Sequence, residues 1–235
     1  MDKRGGIASP SFTSPVTSPP TSPRGGQGID VGDGGVELTV VKGGRLYSNF
    51  VYLNPLDAKA LTLPTKPAGL PHNTYLLINL HLYLFKPSET VRQGTIEMND
   101  FQRRSVYVSL NEKVICRPFA TKNKEAVFLS GLKLEIDFLY AGSKGVDSAF
   151  QSGEITEALL TQFENHFFTR NQLVAMDVKG TTLKFKVTDL ELARLGNEDA
   201  AAGVSAKHQA STVRGVLMKQ TGIEWCPSWG RRSSS

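Results

Sequence analysis

The sequence predicts a mainly β, α+β protein: a small barrel of short strands followed by a short mixed sheet that carries one helix. Three observations lead there. Between residues 36 and 120 the chain offers short β-branched and aromatic runs, punctuated by Gly and Pro, with almost no helical periodicity. The next hundred or so residues hold one clean period-2 strand and one stretch with helical spacing. Finally, 40% of the 235 residues are hydrophobic but they are thin in the first thirty-five, which leaves about two hundred for one medium core or two small ones.

The first element is a tail. Ala8 to Arg24 reads ASPSFTSPVTSPPTSPR, with a Thr-Ser-Pro unit at Thr13, Thr17 and Thr21. Proline removes backbone donors, and so polar a stretch buries too little to offset its ordering entropy, so residues 1–35 are expected to be disordered. Ser9, Ser14, Ser18 and Ser22 each precede a proline and are candidate phosphorylation sites, at which added charge could act on a neighbouring face.

In the barrel half, Val36–Val41 and Phe50–Leu53 are β-branched or aromatic strand candidates separated by Gly43-Gly44. Pro55, Pro64, Pro67 and Pro71 are expected to break the next stretch into loops. Tyr75–Phe85 reads as one long strand or two, and Gly94–Ile96, Val106–Val108 and Lys113–Arg117 as further strands. Between them lies Gln102-Arg103-Arg104, read as a charged turn beside a strand. Two adjacent arginines there would face opposite ways, leaving at least one solvated. The planar guanidinium fork suits carboxylates, so the pair points to an acidic partner.

In the second half, Leu132, Leu134, Ile136 and Phe138 should share one strand face, with Lys133, Glu135 and Asp137 on the other. The Glu135 and Asp137 carboxylates have a spacing acid/base sites can use, but no histidine is placed to complete one, so they read as a solvated face. Ser152–Phe167 reads as a helix with Ile155, Leu159 and Phe163 on its buried stripe, Leu160 and Phe167 widening it, and His166 near its C-terminal end facing the dipole. Leu173–Val178 and Thr182–Val187 about Lys179-Gly180 read as a hairpin, residues from Glu191 to His208 as a loop, and Val213–Trp225 as a last strand pair.

Several function classes fit poorly. Cys116 and Cys226 form no CxxC or Cys/His cluster, so neither a disulfide scaffold nor a zinc site is indicated. Thr74–Phe85, the longest apolar run, is too short to span a bilayer and is broken by Asn79 and His81. The N-terminus has no apolar core of a secretory signal, which points to a soluble cytosolic chain. No Ser or Cys nucleophile pairs with a placed His, as a small barrel enzyme would need. Phe185 between Lys184 and Lys186 is too little for nucleic acid. The net charge of +5 is a mild basic bias that favours acidic partners.

Five strings carry a resemblance: the QRR of Gln102–Arg104, EIDFL of Glu135–Leu139, QFENHFF of Gln162–Phe168, LVAMDVKGTTLKFKV of Leu173–Val187, and RGVLMKQTGIEW of Arg214–Trp225. In this order they resemble the N domain of the N-ethylmaleimide-sensitive factor, the vesicle-fusing ATPase, over about Val36 to Trp225. The resemblance implies a double-psi β-barrel subdomain over 36–120, an α/β-roll subdomain over 121–225, and a groove between them. It implies docking of the acidic C-terminal region of the adaptor alpha-SNAP, bound to SNARE complexes, onto basic residues. Arg103 and Arg104 match one basic pair of the family; Lys144 matches part of a second, and Lys42 or Arg45 stands near a third. The family continues into two AAA modules that bind ATP and magnesium and assemble as a hexamer. Here residues 226–235 diverge instead, and no GxxxxGK[ST] loop occurs in the sequence, so the chain is expected to be truncated before those modules and to do no chemistry. It implies no cofactor of this chain's own, no nucleic-acid partner and no membrane insertion, but cytoplasmic residence with peripheral recruitment to Golgi, ER or vesicle membranes. The similar N domain of ubiquitin-directed AAA ATPases, which binds ubiquitin adaptors, is the alternative.

Overall fold

The computed structural model describes residues 35–64, 70, 74–119, 127–140, 151–193 and 213–227. The Ser-Pro tail with Ser9, Ser14, Ser18 and Ser22, and Lys144, lie outside them.

Seven strands make the first sheet: β1 (Val36–Lys42), β2 (Val51–Leu53), β3 (Tyr75–Ile78), β4 (His81–Tyr83), β5 (Phe85–Pro87), β6 (Thr95–Met98) and β7 (Lys113–Phe119). Their order is β4-β3-β7-β1-β6-β2-β5. β1 runs parallel to β6 and β2 parallel to β5, while β1–β7, β2–β6, β3–β4 and β3–β7 are antiparallel. Parallel neighbours need crossovers, so this mixed sheet wraps into a nearly closed barrel, as a double-psi topology requires. Its interior is aliphatic, filled by Leu38, Val40, Val51, Leu53, Ile78 and Ile96 among others.

Two helices interrupt the barrel where loops or strands are expected from sequence. Pro55 does not break the chain but opens α1 (Pro55–Ala60), capped by the Asn54 side chain, which accepts from Leu56 N at 3.0 Å. Proline suits a first helical position because its missing N–H would be unpaired there anyway. Gln102-Arg103-Arg104 is not a turn beside a strand either; it lies inside α2 (Asp100–Val106), and Val106–Val108 is the end of that helix rather than a strand. The Tyr75–Phe85 run splits at a tight turn where Asn79 takes a left-handed φ of 52°.

The second half holds a four-stranded sheet in the order β10-β11-β8-β13, from β8 (Leu129–Phe138), β10 (Leu173–Val178), β11 (Thr181–Leu192) and β13 (Gly222–Pro227). Helix α3 (Ser152–Phe163) covers it, burying Ile155, Leu159 and Phe163 as their spacing predicts. β8 buries Leu132, Leu134 and Ile136 on one face. The β10–β11 hairpin turns through Lys179-Gly180, both at positive φ. α3 ends earlier than expected: Phe167 belongs to β9 (Phe167–Thr169), which pairs with β12 (Arg214–Val216). The strand pair expected in Val213–Trp225 is therefore no hairpin, since β12 joins β9 and β13 runs parallel to β8. β11 runs through Glu191 and Leu192, beyond the expected loop start, and β13 includes Cys226.

The halves share a core. Tyr75, Leu82, Leu84 and Phe119 of the barrel pack with Val127, Phe167 and Val216, with Phe167 edge-on to both Tyr75 and Phe119. Among the described residues no helix is long and apolar enough to cross a membrane.

Candidate docking site

Helix α2 is held chiefly by polar bonds. The Asn99 side chain accepts from Gln102 N, and the Gln102 side chain accepts from Asn99 N, both at 2.9 Å, so a full capping box closes its N-terminus. Asn99 Nδ2 also reaches the carbonyls of Arg45, Leu46 and Ser48, and Gln102 Nε2 donates to Phe50 O at 3.0 Å. These bonds lace the loop after β1 onto the helix start. Gly43 is needed there: a Cβ would lie 2.9 Å from the Met98 carbonyl carbon and 3.0 Å from Asn99 N.

The C-terminal half of α2 meets the second subdomain. Ser105 Oγ donates to Phe101 O and accepts from Leu173 N of β10, each at 2.8 Å. The Tyr83 hydroxyl lies beside Ser105, and burial drives its pKa well above the ordinary phenol value. More polar ties cross the junction: Tyr47 Oη with Thr182 Oγ1 at 2.7 Å, Tyr75 Oη donating to Asn165 O at 2.9 Å, and Gln172 Nε2 donating to Asn49 Oδ1 at 3.4 Å. His166 belongs to this junction. It is no helix cap: α3 has ended, the ring is buried, and it packs edge-on to Phe50 and Phe163 with Nδ1 3.5 Å from Asn49 Nδ2.

This frame gives the two candidate arginines different environments. Arg103 folds back, donating to Met98 O and Asp100 Oδ1 at 3.1 Å each, and its side chain is 13% exposed. Arg104 pairs with Asp100 Oδ2 at 2.7 Å, yet its side chain is 66% exposed. The expectation that at least one arginine is solvated holds, on a helix rather than a strand. Near the helix start, Arg45 pairs with Glu97 at 3.4 Å and its guanidinium lies 3.9 Å over the Tyr52 ring. Lys42, exposed at the end of β1, lies next to Gly43, whose N–H donates to Met98 O. Arg103, Arg104, Arg45 and Lys42 thus gather around α2 with the acids Glu97 and Asp100, an excess of positive charge. A residue that sequence reasoning missed is Tyr107, the left-handed C-cap of α2 and 84% exposed. Its β-prone neighbours masked it as strand.

Of the groups singled out from sequence, Cys116 is buried and Asp137 is paired. Burial pushes the Cys116 thiol up to about 12, far from a reactive thiolate. Asp137 pairs with Lys184 at 3.3 Å across β8 and β11, so the Glu135/Asp137 face is a sheet surface crossed by an ion pair. Among the described residues no group of three or more His, Cys, Asp or Glu side chains is placed to hold a metal ion.

Residues 149–210, which hold α3 and the β9–β11 run, match the family of cell division protein 48 (CDC48), domain 2. The match indicates an AAA-ATPase N-terminal region of the CDC48 type. No curated protein matches the chain.

Proposed function

We propose that this chain is an adaptor-docking N domain of the vesicle-fusing type, which holds alpha-SNAP on SNARE complexes and itself does no chemistry. The observation that carries the reading is Arg104: an exposed guanidinium on a helix fixed at both ends, among further basic side chains. Such a group meets the carboxylates of an acidic partner at little cost in order, because the helix beneath it is already set. The QRR and EIDFL strings favour the SNAP-directed family over its relatives. Recruited this way, the chain resides in the cytoplasm and reaches Golgi, ER or vesicle membranes through its partners. Lys144 would add a second basic contact, and the Ser-Pro tail a place for phosphorylation.

A second reading rests on the match to the CDC48 domain, which favours a ubiquitin-adaptor docking surface built on the same architecture. One experiment separates the two. Immobilised chain is offered alpha-SNAP–SNARE complex or a ubiquitin adaptor, with Arg104→Glu and Arg103→Glu variants alongside. Arg104→Glu should weaken the SNAP complex by up to about fivefold with little change in the melting curve, since one exposed pair contributes about 0.2–1 kcal/mol. Arg103→Glu should instead lower the melting temperature, because it strips the Met98 and Asp100 bonds from a mostly buried group. Retention of the ubiquitin adaptor alone would reject the SNAP reading.

A further inference from the structure

Tyr107 is costly to the free protein. Its φ and ψ are 58° and 48°, a left-handed cap that ordinarily falls to Gly or Asn because a larger side chain crowds the following carbonyl. Burial does not offset that cost, as the side chain is 84% exposed. Strain without packing in return points to a role outside the fold.

The neighbourhood of Tyr107 is built rather than loose. Its own N–H reaches back to the last turn of α2, and Val108 N donates to Arg103 O at 3.0 Å. Asn79, itself left-handed, donates from Nδ2 to Val106 O at 2.7 Å, and so clamps the β3–β4 turn against the end of α2. That turn carries Leu80, 49% exposed. Leu80 is fixed from the other subdomain, since Arg214 Nη1 donates to its carbonyl at 3.1 Å. Two exposed apolar side chains therefore stand on turns joined to one another, with the Arg104 guanidinium one helical turn before Tyr107 and Arg214 beneath Leu80. The nearest carboxylates along the chain are engaged: Asp100 with both arginines, and Glu112 with the N–H of Ser109 at 2.6 Å.

We propose that Tyr107 and Leu80 form an apolar anchor on the docking face, which seats an aliphatic side chain projecting from an acidic protein surface. The inference rests on the docking reading above and adds to it where the affinity comes from. Exposed ion pairs steer and select a partner, whereas a pre-set aromatic side chain that becomes desolvated supplies binding energy. The basic flanks fix the occupant's sign: a carboxylate-rich surface is attracted, and its aliphatic residue falls between Tyr107 and Leu80. Tyrosine suits this place because it offers large contact area with few rotatable bonds.

The test is Tyr107→Gly, beside Leu80→Ser and Arg104→Glu, in titrations of the full chain with alpha-SNAP–SNARE complex at about 0.05 and 0.3 M salt. Glycine relieves the left-handed strain, so the melting temperature should hold or rise while affinity falls about tenfold, as for an aromatic hot spot. The loss should be equal at both salts, because apolar contact is not screened. Arg104→Glu should lose most at low salt. Wild-type affinity in Tyr107→Gly, with Arg104→Glu impaired, overturns the anchor and leaves the docking reading standing. A lower melting temperature in Tyr107→Gly overturns the strain argument on which the anchor depends. Failure of the wild-type chain to bind the complex at either salt overturns both.

Discussion

Helices α2 and α3 are secured by opposite means. α3 has twelve residues and no side-chain hydrogen bond at its N-cap, Gln151; it is held by Ile155, Leu159 and Phe163 pressed into the sheet. α2 has seven residues, too few to be stable alone, and buries Gln102 and Ser105 alongside Phe101 and Val106. Its capping box, its bonds to Arg45, Leu46, Ser48 and Phe50, and its Ser105 link to Leu173 take the place of a broad apolar stripe. An apolar stripe tolerates small rotations; a set of directed hydrogen bonds does not. The helix that presents Arg104 is thus the one whose orientation is most tightly specified, which is what a docking group needs.

The largest expected effect tests the apolar side of this contrast. Phe163 is fully buried and meets Phe168, Phe185 and His166 edge-on. Phe163→Ala should cost about 3–5 kcal/mol in denaturant unfolding through lost transfer energy and a residual cavity. A loss under about 1.5 kcal/mol would mean that α3 is held by something other than its stripe.

Next comes the polar side. Asn99→Ala removes the cap acceptor and a buried donor shared among three carbonyls, and should cost about 2 kcal/mol. Gln151→Ala at the start of α3, where no cap bond exists, should stay within about 0.5 kcal/mol. Equal effects at the two caps would erase the distinction between the helices.

The same contrast explains what could be read from sequence. α3 announces itself through apolar residues at helical spacing, and β8 through strict alternation, because in both burial on one face dictates the pattern. The β10–β11 hairpin is legible from Lys179-Gly180. α2 is not legible that way: its start is written in Asn99 and Gln102, two polar residues whose partners, Arg45 to Phe50, lie some fifty positions earlier. Asn99 with Gln102 three residues on is a capping-box signal, but without a following apolar run it looks like any polar turn. α1 hides behind Pro55 for the same reason. At the site, the arginines are visible as a charged pair, but their inequality is not, since Arg103 is committed by the Met98 carbonyl and Arg104 is not. Tyr107 carries no local signal, because a left-handed tyrosine is set by the turn it ends and not by its own preference.

The smallest predicted effect, that of mild acid, sharpens the comparison further. His81 on β4 is 5% exposed and stacks on Tyr83 at 6.3 Å, in the core beneath α2. Burial first, and then the Arg214 guanidinium, lower its pKa from 6.5 to about 4. The folded state therefore binds fewer protons than the unfolded state between those values, and stability must fall as pH drops. The contribution is fully present above pH 6.5, declines through the window and levels off near pH 4. By pH 5.5 the loss from this one group is about 1 kcal/mol. The three side chains that α3 buries are not ionisable, and Leu159 is not the one packed on His166, so Leu159→Ala should lower stability by the same amount at pH 7.5 and 5.5. His81→Phe, which keeps a ring against Tyr83 but takes up no proton, should lose about 1 kcal/mol less than the wild type over that interval. Urea midpoints at the two pH values for the three proteins decide it. Parallel shifts in wild type and His81→Phe would place the acid sensitivity elsewhere and remove the polar core under α2 from the account.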